Sequence, residues 1–338
     1  MAKQIGIGII GCGQISERHG LGYMAIPEKA RVVATSDVVV QLAKEKAKRW
    51  GAEAFYSDYK ELLQRADIDA VDVLVPHDLH AEVTILAAKA GKHVLCEKPM
   101  ATTLEDADEM INIAKQENIK LMVGHNWRFK LNYVKMKEII DGGTIGEVYL
   151  TTIEWGGWIV HPANHWRLSL SKAGGGVLIG QGTHYFDLWR WLIGEVEAVY
   201  GISENLIHKD REIEDNMVTL VRFKNGALGT MLCTQTEKNP CNNERMKMYG
   251  TKGTAIAVRV PSLLEIYSDE APEHLRGWTS FHLGDQQQTS IEREVEHFVD
   301  CIREDKAPLV TGEDGKVALK IVLAAYRSLK SHEWVKIL

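Results

Sequence analysis

Three neighbouring residues at the end of an apolar run, Glu97, Lys98 and Pro99, have side chains that could support chemistry. Pro99 donates no backbone hydrogen bond and disfavours a helical conformation at the residue before it, so the sequence predicts that Lys98 lies extended at the end of a strand. A cation held in this way can stabilise negative charge that develops on an oxygen atom. A solvated charge pair on a turn is the alternative interpretation.

A histidine offers the complementary chemistry. His184 lies in the glycine-rich segment GGGVLIGQGTHYFD. The unperturbed pKa of an imidazole is close to neutral pH, which suits a base that accepts a hydroxyl proton. Oxidation of a secondary alcohol requires such a base, a positive group beside the developing alkoxide, and a hydride acceptor. A structural histidine within a helix is the alternative for His184.

A dinucleotide fingerprint supplies a site for the hydride acceptor. The sequence Gly11-Cys12-Gly13-Gln14-Ile15-Ser16 directly follows an apolar run and opens a helical stretch, with Ser16 in place of the third glycine. Asp37 ends the second apolar run, where an acid can accept hydrogen bonds from ribose hydroxyls, and no guanidinium follows it to receive a 2′-phosphate. The sequence therefore predicts NAD rather than NADP. At this end we assign cofactor binding to Gly11, Gly13, Gln14, Ile15 and Asp37.

The elements that must position these residues follow two patterns. From residue 5 to 123, short β-branched runs alternate with amphipathic helical stretches, which predicts a doubly wound parallel sheet, the α/β class. After about residue 146, longer alternating segments such as VYLTTIEW and MVTLVRF predict a mainly antiparallel sheet. We expect a Rossmann domain over residues 1–124 and a substrate-binding and oligomerisation domain over residues 125–338.

Charge and composition restrict the partners. The 338 residues carry a formal charge of −6 without basic blocks, so nucleic acid is an improbable ligand. No run of eighteen apolar residues and no signal peptide is present, which favours a cytoplasmic protein without membrane contact. The cysteines are odd in number and widely spaced, which argues against disulfides and a structural zinc site; they are Cys12, Cys96, Cys233, Cys241 and Cys301.

Several motifs occur in order over essentially the whole chain: GIIGCGQIS, VPHDLH, HVLCEKPMA, VGHNWRF, DGGTIGEV, GGGVLIGQGTHYFD and TGEDGKVALKIVLAAYRS. Together they resemble those of the glucose-fructose oxidoreductase and inositol dehydrogenase (Gfo/Idh/MocA) family. The resemblance implies an N-terminal Rossmann domain, a C-terminal α/β domain with a large open sheet, and a homo-oligomer, a dimer or tetramer, joined through that sheet. It also implies that Lys98 lies beside the nicotinamide and that His184 is the catalytic histidine.

The resemblance implies further contacts. Glu97 would face the nicotinamide ribose or orient Lys98, and VPHDLH would line the cofactor, although His77 stands where the family usually has Asn. Together with Trp166 and Arg167 from the segment after EWGGWIVHPANH, the additional cofactor-binding residues are Pro76, His77, His80, Glu97, Lys98, Asn126, Trp166 and Arg167. We assign substrate binding to Lys98, Arg128, Trp158, Arg167, Gly180 and His184.

Three features of the second half have competing interpretations. Trp155 and Trp158 either stack on a sugar or pack a sheet or interface. His161 and His165 have the i, i+4 spacing of a metal pair, but Pro162 lies between them and hydride transfer needs no metal, so we predict none. Gly180 replaces the Asp that relatives oxidising free polyols carry four residues before the histidine. We interpret it as room for a larger substrate, with relaxed packing as the alternative.

Three functions compete. The leading one is an NAD-dependent dehydrogenase of a sugar, polyol or sugar derivative, with a glycoside or sugar nucleotide favoured. The second, also implied by the resemblance, is glycoside cleavage through transient oxidation with no net redox change. The third is a non-catalytic sugar or redox sensor, which has no need of both Lys98 and His184.

Overall fold

The chain forms two compact units. The computed structural model describes residues 4–238, 243–259, 262–283 and 289–337. One unit comprises Met1–Asn126 with Gln288–Leu319, and the other comprises Trp127–Gln287 with Lys320–Leu338. The structure thus differs from the simple division expected at residue 124, because a late segment of the chain returns to the first unit.

The first unit contains a parallel sheet of the doubly wound type. Among the residues that the structure describes, it has six strands in the order β3-β2-β1-β4-β5-β6. The strand order reverses between β1 and β4, where ligands bind in such sheets. The predicted Rossmann fold is confirmed. The strands are β1 (Ile5–Ile10), β2 (Ala30–Ser36), β3 (Ala54–Tyr56), β4 (Ala70–Val73), β5 (His93–Glu97) and β6 (Leu121–Gly124).

Helices surround this sheet, and one of them explains the revised division. A capping box between Thr289 and Glu292 begins α9, which packs on α1 where Gly22 approaches Val295. Lys29 also pairs with Glu296 and Asp300 at 2.7 and 2.9 Å. The helices are α1 (Gln14–Met24), α2 (Val40–Trp50), α3 (Tyr59–Leu63), α4 (His80–Lys89), α5 (Leu104–Gln116) and α9 (Ser290–Arg303).

The second unit contains a large open sheet, as predicted. Its nine strands within the described ranges follow the order β14-β13-β12-β11-β7-β10-β9-β8-β15, antiparallel except for the β10–β7 pair. They are β7 (Val148–Gly156), β8 (Val196–Ser203), β9 (Asn216–Phe223), β10 (Leu228–Thr234), β11 (Asn243–Gly250), β12 (Gly253–Val258), β13 (Leu263–Ser268), β14 (Gly277–His282) and β15 (Val335–Lys336).

The core of this unit lies between one sheet face and a buried helix. The indole nitrogen of Trp189 donates to Thr151 at 3.1 Å, and its ring meets Phe223 edge-on. Alternate residues of β9 and β10 are buried and exposed, so the other face of these strands is open. The helices are α6 (Leu131–Asp141), α7 (Leu170–Ala173), α8 (Thr183–Leu192) and α10 (Gly312–Ser331), whose first part belongs to the first unit.

The structure bears on two expectations that were drawn from composition, one about the cysteines and one about membrane spans. The cysteines that the structure describes are free thiols at Cys12, Cys96, Cys233 and Cys301, whereas Cys241 lies outside the described residues. Within the described ranges, no helix combines the length and apolar character needed to cross a membrane.

Candidate active site

The fingerprint loop has the geometry that a pyrophosphate requires. Gly11 has a φ of +96°, and a Cβ atom there would lie 2.5 Å from the carbonyl oxygen of Leu74. Around Gly13, by contrast, no described atom lies within 4 Å of an added Cβ, so a ligand can approach the backbone at the start of α1. Ser16 replaces the third glycine without strain because its hydroxyl donates to the Gly13 carbonyl at 2.6 Å. The residues present therefore fit a dinucleotide.

Asp37 is tied to this loop. Its Oδ2 atom accepts a hydrogen bond from the Cys12 N–H at 2.8 Å, and its Oδ1 atom accepts one from the Val39 N–H at the same distance. The carboxylate is therefore fixed beside the fingerprint, and each oxygen retains a lone pair for a ribose hydroxyl. Val38 after it is 90% exposed, so an apolar surface rather than a cationic one follows the acid.

The VPHDLH segment connects two strand ends. His80 is buried, and its ring nitrogens lie 2.9 Å from the Val75 carbonyl and 2.7 Å from the Pro99 carbonyl. Burial lowers the pKa of His80. His77 is also buried and meets His80 edge-on, with ring centroids 5.6 Å apart. These contacts give His80 a structural role, because they attach the Lys98–Pro99 turn to the segment that follows β4. A contact between His80 and the cofactor stays a prediction.

Glu97 connects Lys98 to a buried network that the sequence did not reveal. The Lys98 N–H donates to Glu97 Oε2 at 3.0 Å, and the Lys98–Pro99 bond is cis. Glu97 Oε1 lies 3.3 Å from Nε2 of His19, whose Nδ1 lies 2.8 Å from Asp72 Oδ2. The Tyr23 hydroxyl also donates to Asp72 at 3.1 Å. The only sequence signal was a carboxylate inside the apolar strand AVDVLV.

The charge of this network is set by its geometry. Both ring nitrogens of His19 face carboxylates, and ionised carboxylates only accept hydrogen bonds, so the imidazolium form satisfies both. Burial disfavours that charge, but Asp72 and Glu97 together raise the pKa of His19 well above 6.5. Burial would raise the pKa of Glu97, but the hydrogen bond from His19 and the charges of His19 and Lys98 outweigh it and lower the pKa.

Two polar residues of the VGHNWRF motif, Asn126 and Arg128, make different contacts. Asn126 donates from Nδ2 to the Ser290 hydroxyl at 2.9 Å. Arg128 is buried and donates from Nε and Nη2 to the two carboxylate oxygens of Asp187, at 2.9 and 2.6 Å. This bidentate pair favours a structural role for Arg128 over the predicted substrate contact.

Trp127 supports His184. The two rings are stacked, with centroids 4.3 Å apart and an angle of 9° between the planes, and both residues are buried. Tyr185 meets the same indole edge-on at 4.6 Å. His184 is thus held through its ring face. Sequence reasoning found His184 but not Trp127, because no local pattern pairs residues from two separate segments.

The glycine-rich segment before His184 is anchored by a buried carboxylate. Glu214 accepts hydrogen bonds from the N–H groups of Gly176 and Leu178, at 2.8 and 2.9 Å, and from the Tyr326 hydroxyl at 2.7 Å. Burial raises the pKa of Glu214, although these three donors act in the opposite direction. A Cβ atom on Gly176 would lie 2.0 Å from the Glu214 carbonyl oxygen, so this position requires glycine.

A π-helix spans Leu178–Gly182. Its wider turn gives Gly180 and His184 a different angular relation from that of an α-helix, and π-helical turns are frequent at functional sites. The two glycines in it differ: a Cβ on Gly182 would lie 2.6 Å from Leu178 Cδ1, whereas one on Gly180 meets no described atom within 4 Å. Close packing therefore accounts for Gly182, and Gly180 borders open space.

The two tryptophans at the end of β7 and just after it lie in different environments. Trp155 is buried in the sheet, which confirms the packing interpretation for this residue. Trp158 is 41% exposed, and its indole can still meet a ligand.

Downstream on the same segment, the Arg167 guanidinium lies 4.4 Å from the centroid of the Trp166 ring. His161 and His165 stack at 4.5 Å. Burial and the positive charges nearby lower the pKa of His161 to about 4. No group of three or more His, Cys, Asp or Glu that could hold a metal occurs among the described residues.

Comparison with known proteins assigns the family. The model of the Gfo/Idh/MocA oxidoreductases, an NAD-binding Rossmann fold, matches residues 5–125, and the model of the family's C-terminal domain matches residues 133–256. The myo-inositol 2-dehydrogenase of Thermotoga maritima is 33% identical over 98% of both chains. The protein belongs to the Gfo/Idh/MocA family. The resemblance noted in the sequence is confirmed.

Other members of the family agree with this assignment. The levoglucosan dehydrogenase of Pseudarthrobacter phenanthrenivorans is 31% identical over 75% of this chain and 73% of its own. A solved levoglucosan dehydrogenase in complex with NADH has a TM-score of 0.93 at 27% identity and covers 99% of this chain and 100% of its own. This Gfo/Idh/MocA protein is therefore an NAD-dependent oxidoreductase.

Proposed function

We propose that this oxidoreductase transfers a hydride between a secondary alcohol of a sugar, polyol or sugar derivative and NAD, with Lys98 and His184 at the reacting hydroxyl. The observation that carries this proposal is that a buried network supports each of the two residues, through the backbone for Lys98 and through the ring for His184. Glu97 and His19 support the backbone at Lys98, and Trp127 supports His184. Relatives named inositol, levoglucosan and D-glucoside dehydrogenases support a carbohydrate substrate.

The chemistry follows from the two side chains. In the oxidative direction His184 accepts the hydroxyl proton, and the Lys98 ammonium stabilises the negative charge on the oxygen while the carbonyl forms. NAD, held by the fingerprint loop and Asp37, would supply the hydride acceptor for this carbon. In the reductive direction His184 returns the proton to the oxygen.

We favour a substituted sugar, such as a glycoside or a sugar nucleotide, over a free polyol. Open space at Gly180 supports this preference, because neither a carboxylate nor side-chain volume occupies the position. The exposed indole of Trp158 and the Arg167 guanidinium offer a stacking face and hydrogen-bond donors on the same unit.

A substrate panel tests the function. Inositols, hexoses, glycosides and sugar nucleotides are incubated with NAD, and the absorbance of reduced nicotinamide is followed. Stoichiometric NADH with at least one carbohydrate supports a dehydrogenase. Cleavage of a glycoside without accumulation of NADH would indicate transient oxidation instead of a dehydrogenase reaction. Tight carbohydrate binding without turnover would favour a sensor. A kcat/KM of about 10⁴ M⁻¹s⁻¹ for free inositol or glucose, with every substituted sugar slower, would contradict the preference for a larger substrate.

We also propose a homo-oligomer joined through the sheet of the second unit. Val218, Leu220, Leu228 and Leu232 are each about 40–50% exposed on the open face of β9 and β10. Several exposed apolar side chains on one sheet face are typical of an interaction surface. Light scattering should give a mass above that of one chain, and Leu220→Glu/Leu232→Glu should reduce it. A monomeric wild-type protein would contradict the proposal. The cytoplasmic location stays a prediction.

A further inference from the structure

A lysine lies against the indole that supports His184, a carboxylate pairs with it, and the reaction described above uses neither group. The Lys130 ammonium is 3.7 Å from the centroid of the Trp127 ring. The same ammonium donates to both carboxylate oxygens of Glu244, at 2.8 and 2.9 Å. The Tyr133 hydroxyl donates to Glu244 Oε1 at 2.7 Å. Trp127 therefore contacts the cation of an ion pair as well as the imidazole.

The chain brings these groups together from three segments. Lys130 immediately precedes α6, which carries Tyr133, whereas Glu244 lies on β11 opposite Trp155 of β7. His184 lies on α8. Trp127, Tyr133, Glu244 and His184 are all buried. A buried ion pair loses more hydration than a surface pair, and well-packed apolar residues often replace it without loss of stability. Its presence here thus calls for a role other than stability.

We propose that Lys130 and Glu244 act through Trp127 as positioning residues for His184, setting both the plane of its imidazole and the electric field in which it exchanges a proton. This role rests on the proposed function, in which His184 is the acid-base residue. The ammonium and the indole attract each other through the cation–π interaction, which is strongest where water is excluded. An indole held on one side by a paired cation offers a fixed face on which the imidazole stacks.

The charges around Lys130 and Glu244 determine how a change in either residue acts on His184. The charges of Lys130 and Glu244 cancel while both side chains are ionised. Burial lowers the pKa of Lys130 to about 8, against the opposing effect of Glu244. Among the described residues, the other titratable or charged groups near the pair and the indole include the phenols of Tyr133 and Tyr185, the guanidinium of Arg259 and, beside Tyr185, the thiol of Cys233. The Arg128–Asp187 ion pair lies on the same two segments as Trp127 and His184.

Two single variants should therefore shift the pKa of His184 in opposite directions. Lys130→Met leaves the Glu244 carboxylate uncompensated, which favours the imidazolium and raises the pKa of His184. Glu244→Gln leaves the ammonium uncompensated and lowers it. Lys130→Met/Glu244→Gln removes both charges and should return the pKa towards the wild-type value. A role in packing alone gives no reason for opposite signs.

NMR titration of the histidine ring protons of the full-length protein measures these shifts. The His184 resonance is identified by its loss in His184→Asn, and stacking on Trp127 should move it upfield through the ring current of the indole. The double variant and Trp127→Leu should reduce that displacement. Lys135→Met is the matched control, because it removes an ammonium on α6 that pairs only with Glu138 among the described carboxylates. It should leave the resonance and turnover unchanged.

Kinetics completes the test. The double variant should lose on the order of ten- to a hundredfold in kcat through misplacement of the base, with an unchanged Kd for NAD. An unchanged His184 pKa in both single variants, shifts of the same sign, or an unchanged kcat in the double variant would overturn the positioning role. If the double variant does not fold, the test uses Glu244→Gln alone, which keeps the shape of the side chain. A lowered pKa of His184 in this variant supports the positioning role, and a raised or unchanged pKa overturns it. Full turnover by His184→Asn would instead overturn the proposed function, whatever the variants of Lys130 show.

Discussion

The two units hold their candidate catalytic groups by different means. In the first, a chain of hydrogen bonds from Asp72 through His19 to Glu97 ends at the backbone of Lys98. In the second, a stacked indole meets the face of His184. Hydrogen bonds to both nitrogens hold an imidazole in one charge state, as for His19, whereas a stack orients a ring without using its nitrogens. The first support therefore fixes the backbone at Lys98, and the second fixes the plane of the His184 ring.

Replacing His19 with glutamine disrupts the hydrogen-bonded support of Lys98, and we expect the largest effect from this change. The variant leaves Asp72 and Glu97 buried without a cation between them, and loss of one partner from a buried ion pair costs about 3–5 kcal/mol of the free energy of unfolding. Urea denaturation at pH 7 measures this loss. Lys316→Gln, which removes an exposed pair with Asp108, is the control and should change the free energy by less than about 1 kcal/mol. Equal stabilities of the two variants would contradict the assigned network.

The stability difference between wild type and His19→Gln should also depend on pH. The folded-state pKa of His19 is raised above 6.5, so its contribution is full below pH 6.5 and disappears only as pH rises through the raised value. The folded-state pKa of Glu97 is lowered below 4.5, so its contribution is present above pH 4.5 and is lost as pH falls through the lowered value. The difference should therefore be large at neutral pH and shrink in acid. Growth of the difference on acidification would contradict this assignment.

Removal of the supported groups themselves tests whether the two networks serve one reaction. Lys98→Ala and His184→Ala should each lower kcat by about a hundredfold or more, because one loses the charge beside the alkoxide and the other loses the base. Binding of NAD, measured separately by titration calorimetry, should persist. The exposed residues Lys89 and His274 offer alanine controls that should keep wild-type kcat. Wild-type kcat in Lys98→Ala or His184→Ala would remove that residue from the mechanism.

A change at Asp37 should act on cofactor binding and leave the supports of Lys98 and His184 in place. Asp37→Ala removes an acceptor for the ribose hydroxyls and a charge that repels a 2′-phosphate. The preference of the enzyme for NAD over NADP in kcat/KM should fall by about tenfold or more, the magnitude of a lost charged hydrogen bond. Glu61→Ala, on the exposed side of α3, is the matched control. The assignment fails if wild-type enzyme uses NADP as well as NAD.

The smallest effect is expected at Gly180, where the change should act on the substrate and not on the cofactor. Gly180→Asp fits the open space and should move the kcat/KM ratio of free polyol to substituted sugar by about tenfold towards the polyol, within the range that one added group in a pocket supplies. Gly182→Ala is the contrast, because its Cβ meets Leu178 and overpacking should cost about 1–3 kcal/mol of stability. An unchanged ratio in Gly180→Asp would favour relaxed packing as the reason for this glycine.

Part of the site was predictable because its determinants are local. The fingerprint loop depends on the conformational freedom of Gly11 and on the open backbone at Gly13, and both follow from residue type within a short segment. The strand that ends at Glu97 is visible as an apolar run. The π-helix over Leu178–Gly182 was not predictable, because the Glu214 and Tyr326 side chains that anchor its start come from distant segments.

Periodicity, glycine positions and motifs are properties of short stretches, so the amino-acid sequence was sufficient to predict the class of fold, the cofactor loop and the two candidate catalytic residues. The partners of those residues became visible in the folded chain. His19 meets Asp72 and Glu97 across separations of 53 and 78 residues, which depend on strand order within the sheet. Trp127 meets His184 through the packing of two separate helical segments. Such contacts depend on the register and packing of whole elements, which no local pattern encodes.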